Sequence, residues 1–300
     1  MTSNNTVCIY IPTHNRSGSL KKSIESAQQQ TYKAIEIHIC DDNSTDDTEK
    51  LVKKMQADDP RIFYHKLLSN SGACAARNAA IYNTNAKFIT GLDDDDEFTE
   101  KRIEFFMHNW KDEYSFICTN FINKYSHNNK CIKNYSGKTK IFKPQDLLSK
   151  NEASNQVFTT TKKLRDVGGF NTSVKRLQDW DTWIKLSQKH GNFLRLGDCL
   201  YIMNHYIQKS NARVSRSITY QEALRELLLR HAALYEKNVS HKCTIQSEIY
   251  YCENVTSIFN YLALCKQGKK LTPAFKFLKL FMKNIAKKLN FKEINVTNEI

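Results

Sequence analysis

The spacing of apolar residues changes rhythm from segment to segment through the first hundred positions. Val7 to Ile11 is an unbroken apolar run stopped by Pro12, the pattern of a buried strand. Leu20 to Gln30 has helical spacing, and Ile35, Ile37 and Ile39 then alternate with polar neighbours as a strand does, up to Asp41. A second helical pattern covers Asp46 to Met55, a short strand Ile62 to Tyr64, and a third helix Ala73 to Tyr82. Lys87 to Leu92 reads as a strand that runs straight into four aspartates. Such alternation predicts an α/β fold: a Rossmann-like, mostly parallel sheet with helices on both faces. The unusual polar residues fall just after strands, where open α/β sheets bind their ligands.

Beyond residue 110 the rhythm loosens. Ser115 to Phe121 and Gln156 to Thr160 read as strands, Gly168-Gly169 as a tight turn, and Leu194 to Met203 as a final strand. Gln178 to Lys189 is helical, with Trp180, Trp183 and Ile184 on one face. From Thr219 the pattern is helical only, which predicts one α/β domain over 1–218 and a helical region over 219–300.

Composition changes this picture in one respect. The chain has 300 residues, 40% of them hydrophobic, enough for a large core, but its net charge is +14. That excess suggests an anionic partner without saying whether it is a nucleotide, a nucleic acid or an acidic membrane. Nine cysteines are scattered without a C-x-x-C pair, which points to a reducing compartment. The first residues lack the basic and apolar regions of a secretory signal, and no apolar stretch is long enough to span a bilayer. A cytoplasmic location is expected, with residence on a membrane surface left open.

Chemistry concentrates at two strand ends. Four adjacent carboxylates, Asp93 to Asp96, repel one another unless solvent or a cation separates them. A hard divalent ion takes one or two carboxylates plus substrate phosphates. Strand-like alternation would aim Asp93 and Asp95 one way and Asp94 the other. At the earlier strand end, Asp41-Asp42-Asn43-Ser44-Thr45-Asp46 can both accept from a base N–H and cap the next helix through Ser44 or Asp46.

Six segments occur in order: Pro12-Thr13-His14-Asn15-Arg16, Asp41 to Asp46, Ala76-Arg77-Asn78, Leu92 to Asp96, Val167-Gly168-Gly169-Phe170 and Gln178-Asp179-Trp180-Asp181-Thr182-Trp183. Together, over roughly residues 6 to 205, they resemble the family 2 glycosyltransferases of GT-A fold, inverting enzymes of bacterial surface-polysaccharide assembly. The resemblance implies a nucleotide-sugar half over 1–110 and an acceptor half over 111–218. It places Pro12, Thr13, His14, Asn15, Arg16, Asp41, Asp42, Arg77, Asn78, Asp93 and Asp94 about a UDP-sugar. Thr13 and His14 would lie against the uracil and Asp42 would read its N–H. A tyrosine is commoner in the family where His14 stands, and histidine would make donor affinity pH-sensitive.

The same resemblance implies Asp95, with Asp93, as ligands of Mn²⁺ or Mg²⁺. Asp179 matches the catalytic base, with Asp181 as the fallback, and Gly169, Trp180 and Asp181 lie on the acceptor side. The glutamate usual before the base is Gln178 here, and an arginine common in relatives falls near Asn204. The implied reaction moves a hexose or N-acetylhexosamine to a hydroxyl of a glycan acceptor, lipid-linked in O-antigen or capsule synthesis, with a β-linkage. A sugar-nucleotidyltransferase would share metal and fold class, but its glycine-rich pyrophosphate loop is absent. A dinucleotide oxidoreductase would need G-x-G-x-x-G where Pro-Thr-His-Asn stands. A nucleic-acid partner fits the net charge but not acids gathered at strand ends.

The tail adds a basic amphipathic helix. Leu271, Ala274, Phe275, Leu278, Phe281, Met282, Ile285 and Leu289 recur at helical spacing. Lys276, Lys279, Lys283, Lys287 and Lys288 share the remaining surface, with Lys266, Lys269 and Lys270 upstream and Pro273 suited to the first turn. The stripe would meet either the fold or an anionic membrane through 266–292. Phe277 and Leu280, off the stripe, would be exposed on a helix docked that way, which favours the membrane.

Overall fold

A computed structural model of the chain describes residues 5–125, 130–133, 137–205 and 218–296, with side chains left undescribed at 130–133 and from 288 onward. Lys288 and Leu289 therefore lie outside the described side chains. Two compact units are present: Met1–Leu147 with Asn151–Val214, and Leu148–Lys150 with Ser215–Ile300.

The first unit opens as its sequence rhythm requires: β1 (Val7–Thr13), α1 (Ser17–Gln28), β2 (Ile35–Asp41), α2 (Thr48–Asp58), β3 (Ile62–Lys66), α3 (Ala73–Asn83) and β4 (Phe88–Gly91). β5 (Glu97–Phe98), α4 (Arg102–Asn109), β6 (Ile117–Tyr125), β7 (Lys130–Lys133) and β8 (Lys140–Phe142) follow. β9 (Phe158–Thr160), α5 (Thr161–Asp166), α6 (Gln178–His190) and β10 (Phe193–His205) complete the unit. The sheet runs in the order β3-β2-β1-β4-β9-β6-β10-β5, with β7 and β8 beside β6 and β10. β3, β2, β1 and β4 are mutually parallel, as are β6 and β10, while β9 pairs antiparallel with both β4 and β6.

The mixed half is where sequence spacing and structure part. Leu194 to Met203 is last in sequence yet lies inside the sheet, between β6 and β5. The antiparallel strands β5, β7, β8 and β9 have two to four residues each, too few to show a period. β1 also passes through Pro12 to Thr13 rather than stopping at it. β4 pairs β1 only as far as Tyr10, so Pro12 sits where one flank is open and its missing donor costs little.

The core follows the alternation. Val7, Ile9 and Ile11 on β1 and Ile35, Ile37 and Ile39 on β2 are buried with Leu20 and Ile24 of α1 and Val52 of α2. On α6, Trp183 and Ile184 are fully buried and Trp180 nearly so; its indole N–H donates to Leu147 O at 2.6 Å. Losing either indole would cost ~3–5 kcal/mol, and the pair fixes the face of α6 on which the helix start is presented.

The second unit comprises α7 (Tyr220–Arg230), α8 (Ala232–Lys237), α9 (Val239–Cys252), α10 (Ile258–Gly268) and α11 (Thr272–Val296). Thr219 and Glu222 form a capping box at its first helix. α11 docks by the face opposite to the expected one. Leu280 is 1% exposed, Pro273 is buried, and the Phe277 ring lies 5.4 Å from that of buried Tyr261. Leu271, Phe275, Leu278, Phe281, Met282 and Ile285 are exposed. α11 is apolar around most of its girth, so periodicity alone could not say which side would find Tyr261.

Candidate active site

The strand order reverses between β1 and β4, and the C-terminal ends of those strands open the crevice where such sheets hold ligands. The Asp93–Asp96 segment is a tight turn there, closed by Asp96 N–H donating to Asp93 O at 3.1 Å. A turn does not alternate, and the side chains part differently from expectation. Arg16 Nη1 donates to both Asp94 Oδ1 (3.0 Å) and Asp95 Oδ2 (2.9 Å), so these two share one side. Thr13 also donates to Asp94 Oδ2 at 2.8 Å. Asp93 faces away, accepting from Gln156 Nε2 (2.9 Å), Asn155 Nδ2 (3.0 Å) and Arg77 Nη2 (3.4 Å).

Burial governs the electrostatics of the turn. Desolvation pushes the Asp94 carboxyl up to about 7 against the pull of Arg16, with neighbouring Asp95 adding to the rise. Burial raises Asp96 well above the usual range. Its carboxylate accepts from the Tyr201 hydroxyl at 2.7 Å and the Asn204 N–H at 2.9 Å. The Tyr201 oxygen also accepts from Asp93 N–H and Asn155 Nδ2, making it the node that joins both ends of the turn. Asn204 braces Asp95 O and Glu97 Oε1 through its amide at 3.0 Å each.

The first loops lock together. Asn15 is left-handed at φ 52°, and its Oδ1 accepts from the backbone N–H of Thr45 and Asp46. Asp46 accepts from Ser17 N–H and Thr48 N–H, tying together the starts of α1 and α2. Ser44 does not cap α2; its Oγ accepts from Asn15 N–H at 2.8 Å. Asp41 is fully buried and structural, accepting from Ser44 N–H and the Tyr64 hydroxyl. Asp42 holds the loop before α3, its two oxygens accepting from Ser71 N–H (2.7 Å) and Gly72 N–H (2.8 Å). The His14 ring is bounded by Asp42 O at Nδ1 (2.9 Å) and the Asn70 amide at Nε2 (3.1 Å). A carbonyl only accepts, which makes Nδ1–H the donor and Nε2 the acceptor.

On the other wall, Arg77 Nη1 donates to Gln178 Oε1 at 2.7 Å and its guanidinium lies 5.2 Å from the Phe170 ring centre. Its Nε is buried with no partner among the described residues. Asn78 does not face the crevice: its amide exchanges two bonds with the Phe170 backbone, at 2.8 and 2.9 Å. Gly169 belongs to that lock. It has φ 63°, and a Cβ there would come 2.5 Å from Asn78 Oδ1. Trp180 is core rather than acceptor-facing, and Asp181 is 2% exposed.

Asp179 stands apart from these. It lies half-buried in the first turn of α6, whose N-cap, Leu177, is left-handed at φ 63°. Its Oδ2 accepts from Asn151 Nδ2 at 3.0 Å. Burial pushes its carboxyl up to about 6; the Trp180 N–H and Arg77 pull it down, and the charge of Asp93 raises it. Asp179 thus shares the field of Arg77 and Asp93 across the crevice. Asn151, Asn155 and Gln156 join these walls, and their sequence gave no sign of it, because they come from an irregular loop ahead of a three-residue strand.

Among the described residues no group of three His, Cys, Asp or Glu side chains is clustered to hold a metal. The donor set nevertheless fits a hard divalent cation, which needs one or two carboxylates with the substrate's phosphates. The Asp95 and Asp93 side chains are 19% and 27% exposed beside the crevice.

The sequence profile described as Glycosyl transferase family 2 matches residues 8–178. WcaA of Escherichia coli K12, described as a colanic acid biosynthesis glycosyl transferase, is 30% identical over 213 residues, 68% of this chain and 74% of that protein. The Campylobacter jejuni GalNAc(5)-diNAcBac-PP-undecaprenol beta-1,3-glucosyltransferase is 34% identical over 162 residues, about half of each chain (52% and 51%). Among solved structures, S. aureus TarS 1–349 in complex with UDP-GlcNAc superposes with a TM-score of 0.64 at 16% identity, covering 92% of this chain and 79% of that one.

Proposed function

This chain belongs to glycosyl transferase family 2, and from that premise we propose that it transfers a hexose or N-acetylhexosamine from a UDP-sugar to a glycan hydroxyl with inversion. The observation that carries the reading is the pair Asp93 and Asp179, both in the field of Arg77. One carboxylate accepts from two carboxamides and a guanidinium; the other, lifted to about 6, is poised to take up a proton near neutrality.

In this reading Thr13 and His14 lie against the base, and Asp42 accepts the uracil N–H through lone pairs left over from Ser71 and Gly72. Asp95, with Asp93, would be the residues to hold Mn²⁺ or Mg²⁺. When bound, such a cation would supply charge neutralisation for the leaving nucleotide. Asp179 takes the proton of the acceptor hydroxyl as that oxygen bonds to the anomeric carbon. The bond from that carbon to the diphosphate oxygen breaks, and UDP departs with the electron pair. One in-line displacement converts an α-linked donor into a β-linked product. Asn151 keeps the Asp179 carboxylate turned for this, and Arg77 balances its charge. The undecaprenol in the name of the Campylobacter relative supports a lipid-linked acceptor, and that of WcaA supports surface-polysaccharide synthesis; action in the cytoplasm at the inner face of the plasma membrane is part of this proposal.

The test is a panel of UDP-sugars offered with lipid-linked and free glycan acceptors, scored by UDP release and product mass. Asp179→Asn should lower turnover by ~10²–10⁴ while leaving UDP-sugar affinity intact. Normal turnover in that variant, with Asp181→Asn inactive, would move the base to Asp181. Release of a nucleoside triphosphate from UDP-sugar and pyrophosphate would instead make the protein a nucleotidyltransferase.

A further inference from the structure

α11 presents two different faces. Pro273, Phe277 and Leu280 recur at helical spacing and are turned inward, Phe277 against Tyr261. The opposite stripe, Leu271, Phe275, Leu278, Met282 and Ile285, is spaced four and three residues apart and is exposed, Phe275 to 65%. α10, against which α11 packs, adds Phe259 at 78% exposure and Leu262 at 48%. Large apolar side chains thus stay exposed on both helices, and on α11 they are not left over from docking, because docking uses the other face.

Charge decides what could cover it. From Asn254 to Lys292 the chain carries nine lysines and not one aspartate or glutamate. Lys276 pairs with Glu248 on α9 and, with Lys279 and Lys283, lies within 5.6 Å of the Tyr251 ring centre, so these lysines rim α11 beside the exposed stripe. A second copy of this chain packed stripe to stripe would bring two acid-free, lysine-rich helices together with nothing opposite in sign between them. The partner must be apolar where the stripe enters and negatively charged around it. We propose that the exposed faces of α10 and α11 dock on an anionic lipid bilayer, with Phe259, Phe275, Leu278 and Met282 entering the acyl boundary and the lysines meeting the headgroups. No helix among the described residues is long and apolar enough to cross a bilayer. The attachment is therefore interfacial, and each lysine near the surface multiplies binding by roughly five. This deepens the reading of a lipid-linked acceptor, but its test does not depend on transfer.

The experiment floats the full-length protein with phosphatidylcholine vesicles, alone or containing about a third phosphatidylglycerol. Wild type should float with the anionic vesicles at low salt, fall away in high salt, and stay down with neutral ones. Phe275→Ser/Met282→Ser alters two exposed positions and should cut binding at least about tenfold, while UDP release in solution with a soluble acceptor stays unchanged. Lys279→Glu/Lys283→Glu should do the same. Absence of flotation by wild type, or equal flotation of wild type and both variants, overturns the proposal. So does a wild-type dimer in gel filtration that Phe275→Ser/Met282→Ser converts to monomer, since the stripe would then be a subunit interface. Inactivity on every UDP-sugar alongside normal flotation would defeat the transferase reading and leave this one standing.

Discussion

Asp179 and Asp42 are both acids at the crevice, yet their surroundings give them opposite uses. Asp179 has one bond from Asn151 and a carboxyl raised to about 6, whereas Asp42 is tied down by two backbone N–H groups. A base works only when deprotonated, so turnover should decline as pH falls through about 6 and level off above it. The stability effect has the opposite sign. A carboxyl raised on folding penalises the folded state once it ionises, so Asp179→Asn should melt higher than wild type at pH 8. That advantage should fade as pH drops below about 6 and vanish well below ~4, where the wild-type carboxyl is protonated in both states. Thermal melts across pH check the sign directly. For Asp42, calorimetry and melting belong together. Asp42→Ala should weaken UDP binding and also cost ~1–3 kcal/mol of stability, because Ser71 and Gly72 lose their acceptor. Weaker UDP binding at unchanged stability would mean that the two N–H bonds contribute nothing to the fold.

β4 shows how a short element can control a site without a functional side chain of its own. It ends at Gly91, where a Cβ would sit 1.9 Å from Gln156 Oε1 and 2.5 Å from the Tyr10 ring. Gln156 is held between the Tyr10 hydroxyl and Asp93, so space at Gly91 is what lets the carboxamide reach the aspartate turn. Gly91→Ala should push Gln156 aside and lower turnover by about tenfold or more, since small misplacements near the chemistry are costly. Circular dichroism should show the sheet retained. Unchanged kinetics would mean that Gln156 does not position Asp93. α3 and the Gly168-Gly169 turn make a similar pair. Asn78 of α3 holds Phe170, Phe170 packs under Arg77, and Arg77 reaches both Asp93 and Gln178 at the start of α6. Two motifs that look like separate ligand contacts in sequence are one structural lock in the fold.

The molecule as a whole keeps its aspartate turn in place by its own bonds, from Thr13, Arg16, Tyr201 and Asn204. A cation bound there, as proposed, would thus serve binding and chemistry rather than folding. EDTA should abolish transfer and weaken UDP binding, with Mn²⁺ or Mg²⁺ restoring both, while the melting temperature of the ligand-free protein stays the same. Asp95→Ala should behave like the chelated enzyme. Full activity in EDTA would remove the metal from the mechanism. A lower melting temperature would show that the cation is structural.

Sequence by itself determined β1, β2 and β3 of the parallel half of the sheet, because each is followed by a helix of regular spacing. It also determined which strand ends carry the acids, since adjacency along the chain is enough to put Asp93 to Asp96 in one turn. Tertiary structure decided the rest. Asn151, Asn155, Gln156 and Tyr201 reach Asp93 and Asp179 from segments whose partners lie tens of residues away, so no local pattern marks them. Asn15, Asn78 and Gly169 sit in motifs that suggest ligand contact, but their bonds are spent on neighbouring loops. Which side of α11 is buried was likewise settled by Tyr261 and the helices around it, because a helix apolar on most sides has no preferred face until something packs against it.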